Sequence, residues 1–187
     1  MKIRFLLFLF LCAILALPSF TFTSCSKAKQ LAAFDIVYIF PRVYFNYASK
    51  DQKLPEITLY TGKVTINLDS ILSANHTPNG VITSAYLSRL AMVITAPPEA
   101  TFNWLESVRM VGSIDSTFQQ PTDLGSATGI DPNAKSIDLA LNKVDIKPIL
   151  FKNSYYLKIL ATPSGQIPTS SINMYLDSQI KLHIEPL

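Results

Sequence analysis

The sequence predicts an all-β protein: a single antiparallel β-sandwich, immunoglobulin-like or of a related Greek-key type, with about seven strands that follow an N-terminal signal peptide. Apolar and polar residues alternate over residues 172–185, and a period of two is typical of a strand with one face on a core. Shorter segments upstream repeat this alternation. Turn signals separate them at spacings too short for helical crossovers, which favours antiparallel pairing.

The N-terminus has the pattern of an export signal. Lys2 and Arg4 precede an uncharged apolar run at residues 5–17, and Pro18 follows it. A membrane-spanning helix needs roughly 20 apolar residues, whereas the apolar region of a signal peptide needs about 7–15. The sequence therefore predicts a signal peptide at residues 1–24, a tether at 25–33 and the sandwich domain at 34–187.

The residues at the end of this signal add a lipid anchor to the prediction. Thr23 and Ser24 precede Cys25, and polar residues follow it. This arrangement resembles the lipobox of bacterial lipoproteins, from which it departs at Phe22, where the strict form has leucine. The resemblance implies that Cys25 becomes the first residue and carries the lipid, and that Ser26 favours the outer membrane, at either its periplasmic face or the cell surface. An ordinary signal peptide and an uncleaved anchor are the alternatives.

Charge and cysteine content exclude several classes of protein. The chain has 16 Lys and Arg against 13 Asp and Glu. Removal of Lys2 and Arg4 leaves 14 − 13 = +1, which is too balanced for a nucleic-acid-binding surface. Two cysteines and two histidines provide neither a disulfide framework nor a Cys/His zinc site. We therefore expect no metal, no cofactor and no nucleic-acid partner.

The remaining elements follow from the same patterns. The first strands are expected within residues 34–47, with a bend at Pro41. Asp145 is expected to cap a short helical turn that contains Pro148, and the segment 125–129, bounded by glycines, is interpreted as a flexible loop. A bulge is expected near Ser178, because the last strand is long. Further strands are predicted at residues 63–69, 81–95, 108–114, 136–142 and 155–161.

No catalytic constellation stands out, and we expect no enzyme. A serine nucleophile would need His76 or His183 as its base, but His183 lies on the polar face of the last predicted strand and His76 in a predicted loop. An envelope hydrolase is the third hypothesis for function. Asp131 and Asn133 offer two oxygens at alternate positions, a pattern that favours a turn over a calcium site.

Aromatic residues are concentrated at the start of the predicted domain. Six of them fall within residues 34–47. They fill the core or form a platform for a ligand, because tyrosine and tryptophan combine large apolar area with a polar tip. The possible ligand-binding aromatics are Tyr38, Tyr44, Tyr47 and Trp104.

Two serines lie in short sequences that resemble bacterial O-glycosylation sites. Ser70 is the centre of Asp-Ser-Ile, and Ser116 is the centre of Asp-Ser-Thr. Both are possible glycosylation sites.

A lipid tether, a sandwich and the lack of a catalytic motif together predict a non-enzymatic lipoprotein of the bacterial envelope. Its partners would be the membrane, through the lipid on Cys25, and a protein of the envelope. The protein would be an accessory or structural subunit of an envelope assembly or adhesion system, and its sandwich would bind the protein partner. The alternative is a surface lipoprotein that binds a glycan or another small ligand through exposed aromatics.

Overall fold

The computed structural model describes residues 33–48, 55–77, 82–165, 168 and 170–185. Residues 35–184 form one compact unit, which contains all the described strands and helices except for Phe34, the first residue of the first strand. The described residues contain ten strands and two short helices: β1 (Phe34–Ile39), β2 (Val43–Tyr47), β3 (Ile57–Thr65), α1 (Leu68–Ala74), β4 (Ile82–Ala96), β5 (Leu105–Ser113), β6 (Thr122–Thr128), β7 (Ser136–Asp138), β8 (Ala140–Leu141), α2 (Lys147–Leu150), β9 (Ser154–Pro163) and β10 (Ile172–Ile184).

The strands form two five-stranded sheets. Sheet A has the order β1-β10-β4-β7, and β2 also pairs with β10. Sheet B has the order β3-β9-β5-β6-β8. Pairing is antiparallel in both sheets. The predicted all-β, sandwich-like fold with antiparallel sheets is therefore confirmed.

Strand β10 organises sheet A. Every second side chain from Ile172 to Ile184 is buried, as the alternation predicts. Its first half pairs with β2, and its whole length pairs with β4. The register with β4 shifts between Gln179 and Ile180, next to Ser178, where we expect a bulge from the sequence. The apolar residues of β10 face the core together with Ser178, and the other polar residues face outward.

One hydrophobic cluster holds both sheets together. Sheet A contributes Met92 and Ile180, and sheet B contributes Met110 and Ile159, all with no measurable exposure. Because both sheets bury one face in the same cluster, each has an outer face that is left to solvent.

The prediction of about seven strands is wrong, and one cause lies at residues 136–142. The expected single strand is divided into β7, which pairs with β4 in sheet A, and β8, which pairs with β6 in sheet B. Between them, Leu139 donates its backbone N–H to Leu90 O at 2.9 Å. Alternation indicates which side chains are buried, but not which sheet each segment joins.

Two further segments differ from the sequence predictions. The strand expected at residues 63–69 ends at Thr65, and Asn67 caps α1 by accepting a hydrogen bond from Ser70 N at 2.9 Å. Residues 125–129 were interpreted as a loop, but all except Gly129 belong to β6. Glycine and small polar residues here form a strand because β5 and β8 pair with both of its edges.

The short helix near Asp145 is present, but Asp145 is not its cap: the N-cap residue is Ile146, one position later. Helix α2 begins at Lys147 and has Pro148 in its first turn. The Asp145 carboxylate accepts from Lys147 N and from Ala85 N, both at 2.9 Å. This side chain therefore connects the start of α2 to strand β4.

Candidate functional site

The outer face of sheet A carries the most unusual surface among the described residues. We divide this outer face into two halves, according to whether β2 or β1 lies beside β10. The aromatic half lies where β2 pairs with β10, and the apolar half lies along β1. The two halves differ in the chemistry of their exposed side chains.

The aromatic half is built around two tyrosines and an arginine. Tyr44 of β2 and Tyr175 of β10 are register partners, and their ring centroids are 5.7 Å apart at an interplanar angle of 56°. The guanidinium carbon of Arg42 lies 4.3 Å from the centroid of the Tyr175 ring, which is cation–π geometry. A hydrogen bond with the Tyr44 side chain is the main cause that raises the pKa of Arg42. These three side chains form one unit, in which Tyr44 is 66% exposed.

Polar pairs lie on both sides of this unit. Asn46 Nδ2 donates to Asn173 Oδ1 at 2.6 Å. On the other side, Arg89 and Asp177 form an ion pair with an N–O distance of 3.4 Å. The aromatic half thus presents ring surface with amides and charges next to it.

The apolar half is formed by β1 and by the part of β4 that lies at the other side of β10. Ile36 of β1 and Phe40, the residue after it, are buried, whereas Val37 and Ile39 between them are 59% and 61% exposed. Their parity is that of Asp35, which contacts outward side chains of β10, so they lie on the outer face. Tyr86, also exposed, is the register partner of Lys181 on this face. Large apolar side chains are concentrated here at the end strand of the sheet.

An ionic cluster ties the start of β1 to β10. Asp35 binds Lys181 through Oδ2 at 2.6 Å and His183 Nδ1 through Oδ1 at 2.8 Å. The hydrogen bond from Lys181 is the main cause that lowers the pKa of Asp35, and the one with His183 adds to it. The carboxylate is therefore held in its charged form by two partners on the neighbouring strand.

We expect Asp35→Asn to destabilise the protein at neutral pH but not at strongly acidic pH. A carboxyl whose folded pKa is lowered contributes stability above its unfolded pKa, and that contribution disappears as the pH falls through the folded pKa. The difference in unfolding free energy between wild type and Asp35→Asn should therefore be largest near neutral pH and shrink as the pH falls below about 4, the usual pKa of an aspartate, through the lowered folded pKa. Urea unfolding over a pH series measures it.

Glu99→Gln is the control, since Glu99 is an exposed carboxylate in the turn after β4. It should leave the pH dependence of stability as in wild type. A difference between wild type and Asp35→Asn that stays constant from pH 7 to pH 2 would contradict the ionic role of Asp35.

The four aromatics predicted from the sequence do not form one platform. Alternation along β1 and β2 places Tyr44 outward, whereas Tyr38 and Tyr47 pack against the core. Trp104 corrects the prediction most clearly, because it is only 2% exposed and stacks on Tyr47 at 4.9 Å and 5°. Neither of these two rings offers an open face for a ligand.

Sequence reasoning missed Arg42 and Tyr175 as parts of the site. Tyr175 lies within the polar parity of the last strand, and that parity was a signal that its ring faces outward. Arg42 follows Pro41 between β1 and β2, and its position over Tyr175 depends on the pairing of β2 with β10. Only the register could reveal that contact.

The other predicted positions are dispersed. Ser70 lies on α1 and Ser116 in the turn after β5, both exposed, and their glycosylation stays a prediction. His76 lies just after α1 with a φ of 52°. The Asp131 carboxylate accepts from Asn133 N at 2.9 Å, which is the predicted turn. Cys25 lies outside the described residues.

The helices and the candidate metal ligands of the described part of the chain bear on two further kinds of site. None of its helices combines the length and the hydropathy that crossing a membrane requires. Nor do three or more His, Cys, Asp or Glu side chains within that part come together as a set of metal ligands. Burial raises the pKa of Tyr155 to about 12, so this inward phenol stays protonated at neutral pH.

Comparisons with known proteins give no family. No protein-family model and no curated protein matches the chain. A structure of desmodium yellow mottle tymovirus has 21% identity, covers 83% of this chain and 84% of its own, and gives a TM-score of 0.33. The VP2 subviral particle of infectious bursal disease virus has 13% identity, covers 81% of this chain and 33% of its own, and gives 0.35. A structure of turnip yellow mosaic virus has 14% identity, covers 78% and 94%, and gives 0.27. Similarity at this level carries no argument about function.

Proposed function

We propose that this protein is a non-enzymatic lipoprotein of the bacterial envelope that is anchored through Cys25 at the outer membrane and presents its sandwich to a protein partner. In this role it is an accessory or structural subunit of an envelope assembly or adhesion system. The anchor rests on the resemblance of residues around Cys25 to a lipobox. Two or three acyl chains hold a protein on a membrane far more firmly than one chain.

The observation that carries the partner surface is the apolar half of the outer face. Val37 and Ile39 are the most exposed aliphatic side chains among the described large hydrophobic residues. They lie on β1, the end strand of sheet A, and Tyr86 of β4 lies on the same face at the other side of β10. Apolar side chains in this arrangement are typical of a surface that another protein covers. A partner strand or loop packed over β1 would bury them.

The experiment combines the anchor with the partner surface. A photo-crosslinking amino acid is placed at Ile39 in cells that make the full-length protein, and the Cys25 peptide is examined by mass spectrometry. We expect an acylated Cys25 and one discrete crosslinked protein. We expect Cys25→Ala to lose the acyl mass and the discrete crosslink, because the protein leaves the membrane where its partner resides.

The same crosslinker at Lys63, an exposed position of β3 in sheet B, is the control and should give no discrete product. A second variant, Val37→Asp, should abolish the product from Ile39 while the protein stays folded. An unmodified Cys25 overturns the anchor. Equal crosslinking from Ile39 and Lys63 overturns the partner surface, whatever the state of Cys25.

A further inference from the structure

The aromatic half of the outer face contains three side chains that contact one another at the surface, outside the core. Arg42 stacks over the ring of Tyr175 and interacts with Tyr44, so one cation fixes two tyrosines on neighbouring strands. All three side chains lie on the side of sheet A that faces away from the core. A stacked guanidinium keeps its planar fork of N–H groups at its edge, where it can bind a carboxylate with two hydrogen bonds.

Charge in this region is not balanced locally. Two cations, Arg42 and Arg89, share one carboxylate: Asp177 forms the ion pair with Arg89 and acts on Arg42 through a Coulombic interaction, and Arg42 forms no ion pair of its own among the residues that the structure describes. The Asn46 and Asn173 amides use one donor and one acceptor in their mutual hydrogen bond. Each amide group has two N–H donors and an oxygen with two lone pairs, so the pair retains capacity for hydroxyl groups.

We propose that the aromatic half binds an acidic saccharide, with a sugar ring stacked on Tyr44 and its carboxylate paired with Arg42. The apolar face of a sugar ring matches the flat, exposed phenol ring, and the hydroxyl groups at its rim match the amides of Asn46 and Asn173. A ring carboxylate supplies the direct ion pair that Arg42 does not form within the described residues. This inference does not depend on the protein partner, which is proposed for the apolar half.

A saccharide suits this half of the face better than a protein. The exposed surface of the unit consists of an aromatic ring, a guanidinium and amides, and the aliphatic side chain beside it, Val93 of β4 opposite Tyr175, is half-buried. The apolar half, by contrast, exposes Val37 and Ile39. The site also differs from the aromatics expected from the sequence, since only Tyr44 belongs to both sets.

Isothermal titration tests the proposal on the full-length protein, purified from cells with detergent. The probes are trigalacturonic acid and a hyaluronan tetrasaccharide, with galactotriose as the matched neutral sugar and tricarballylate as a carboxylate without a sugar ring. We expect at least one acidic probe to bind with a Kd of about 1 mM or tighter. Galactotriose and tricarballylate should each bind at least about tenfold more weakly, because each lacks one of the two contacts.

Two variants identify the site. Tyr44→Ala and Arg42→Gln should each weaken binding of the acidic probe about tenfold or more, through loss of the stack and of the ion pair respectively. Tyr86→Ala removes an exposed tyrosine from the apolar half and should bind as wild type, and circular dichroism checks the fold of all three. The proposal is overturned if neither acidic probe binds below about 10 mM. It is also overturned if galactotriose or tricarballylate binds equally well, or if Tyr44→Ala binds unchanged.

Discussion

Trp104→Ala should destabilise the protein by about 3–5 kcal/mol, the range for removal of a large aromatic side chain from a core. Trp104 is 2% exposed, and its ring lies against Tyr47 at a centroid distance of 4.9 Å. Alanine removes this stack and leaves a cavity that neighbouring strands can fill only in part. Urea unfolding at neutral pH, followed by circular dichroism, measures the loss.

Trp104→Phe separates packing from hydrogen bonding. The indole Nε1–H of Trp104 is buried without a hydrogen-bond partner among the described residues, so phenylalanine loses ring area but also removes an unpaired donor. We expect it to cost about 1–2 kcal/mol, well below the alanine variant. A loss below about 1 kcal/mol for Trp104→Ala would show that the ring does not fill the core as described.

Gly125→Ala should destabilise the protein by about 1–3 kcal/mol, although alanine is ordinarily the better residue within a strand. A Cβ atom at Gly125 would lie 2.7 Å from the backbone oxygen of Ala140. That oxygen belongs to β8, which pairs with β6 through Gly125 and Leu141. Because a backbone atom cannot rotate away as a side chain can, we expect β8 to separate from β6.

Ser126→Ala is the matched control one position along β6. It changes the neighbouring residue of the same strand without adding a Cβ atom, and it should alter stability by less than about 0.5 kcal/mol. Hydrogen exchange in Gly125→Ala should accelerate more at β8 than at β5, where exchange changes only with the global loss of stability. Equal stability of Gly125→Ala and wild type would refute the close approach of the two strands.

The sequence alone predicted the elements whose signal is local. The alternation of β10 extends over the whole strand, so its burial could be inferred from periodicity, and the irregularity near Ser178 could be inferred from the length of the strand. Helix α2 was equally accessible, because Asp145 and Pro148 are local signals of a helix start. Strand β6 was missed because glycine and serine have weak strand propensity, which pairing on both edges overrides.

Only part of the candidate site could be predicted from the sequence. Sequence reasoning identified the aromatic segment that contains Tyr44, but it could not separate Tyr44 from the inward Tyr47 without the parity of β2. Trp104 was ambiguous from sequence because a tryptophan after a Pro-Pro turn suits a core or a surface, although the core is the more frequent place for it. Its burial follows from the packing of Tyr47 against it.

Antiparallel strands with one buried face could be predicted from the sequence, since a period of two is a property of consecutive residues. Cys25 and its lipobox-like surroundings are likewise features of the sequence, and acylation of that residue tests the anchor they predict. The place of Leu139 between two sheets and that of Arg42 over Tyr175 could be seen in the three-dimensional structure alone. Contacts of this kind join residues that are distant in the chain, and they depend on the strand order and register, which no local pattern encodes.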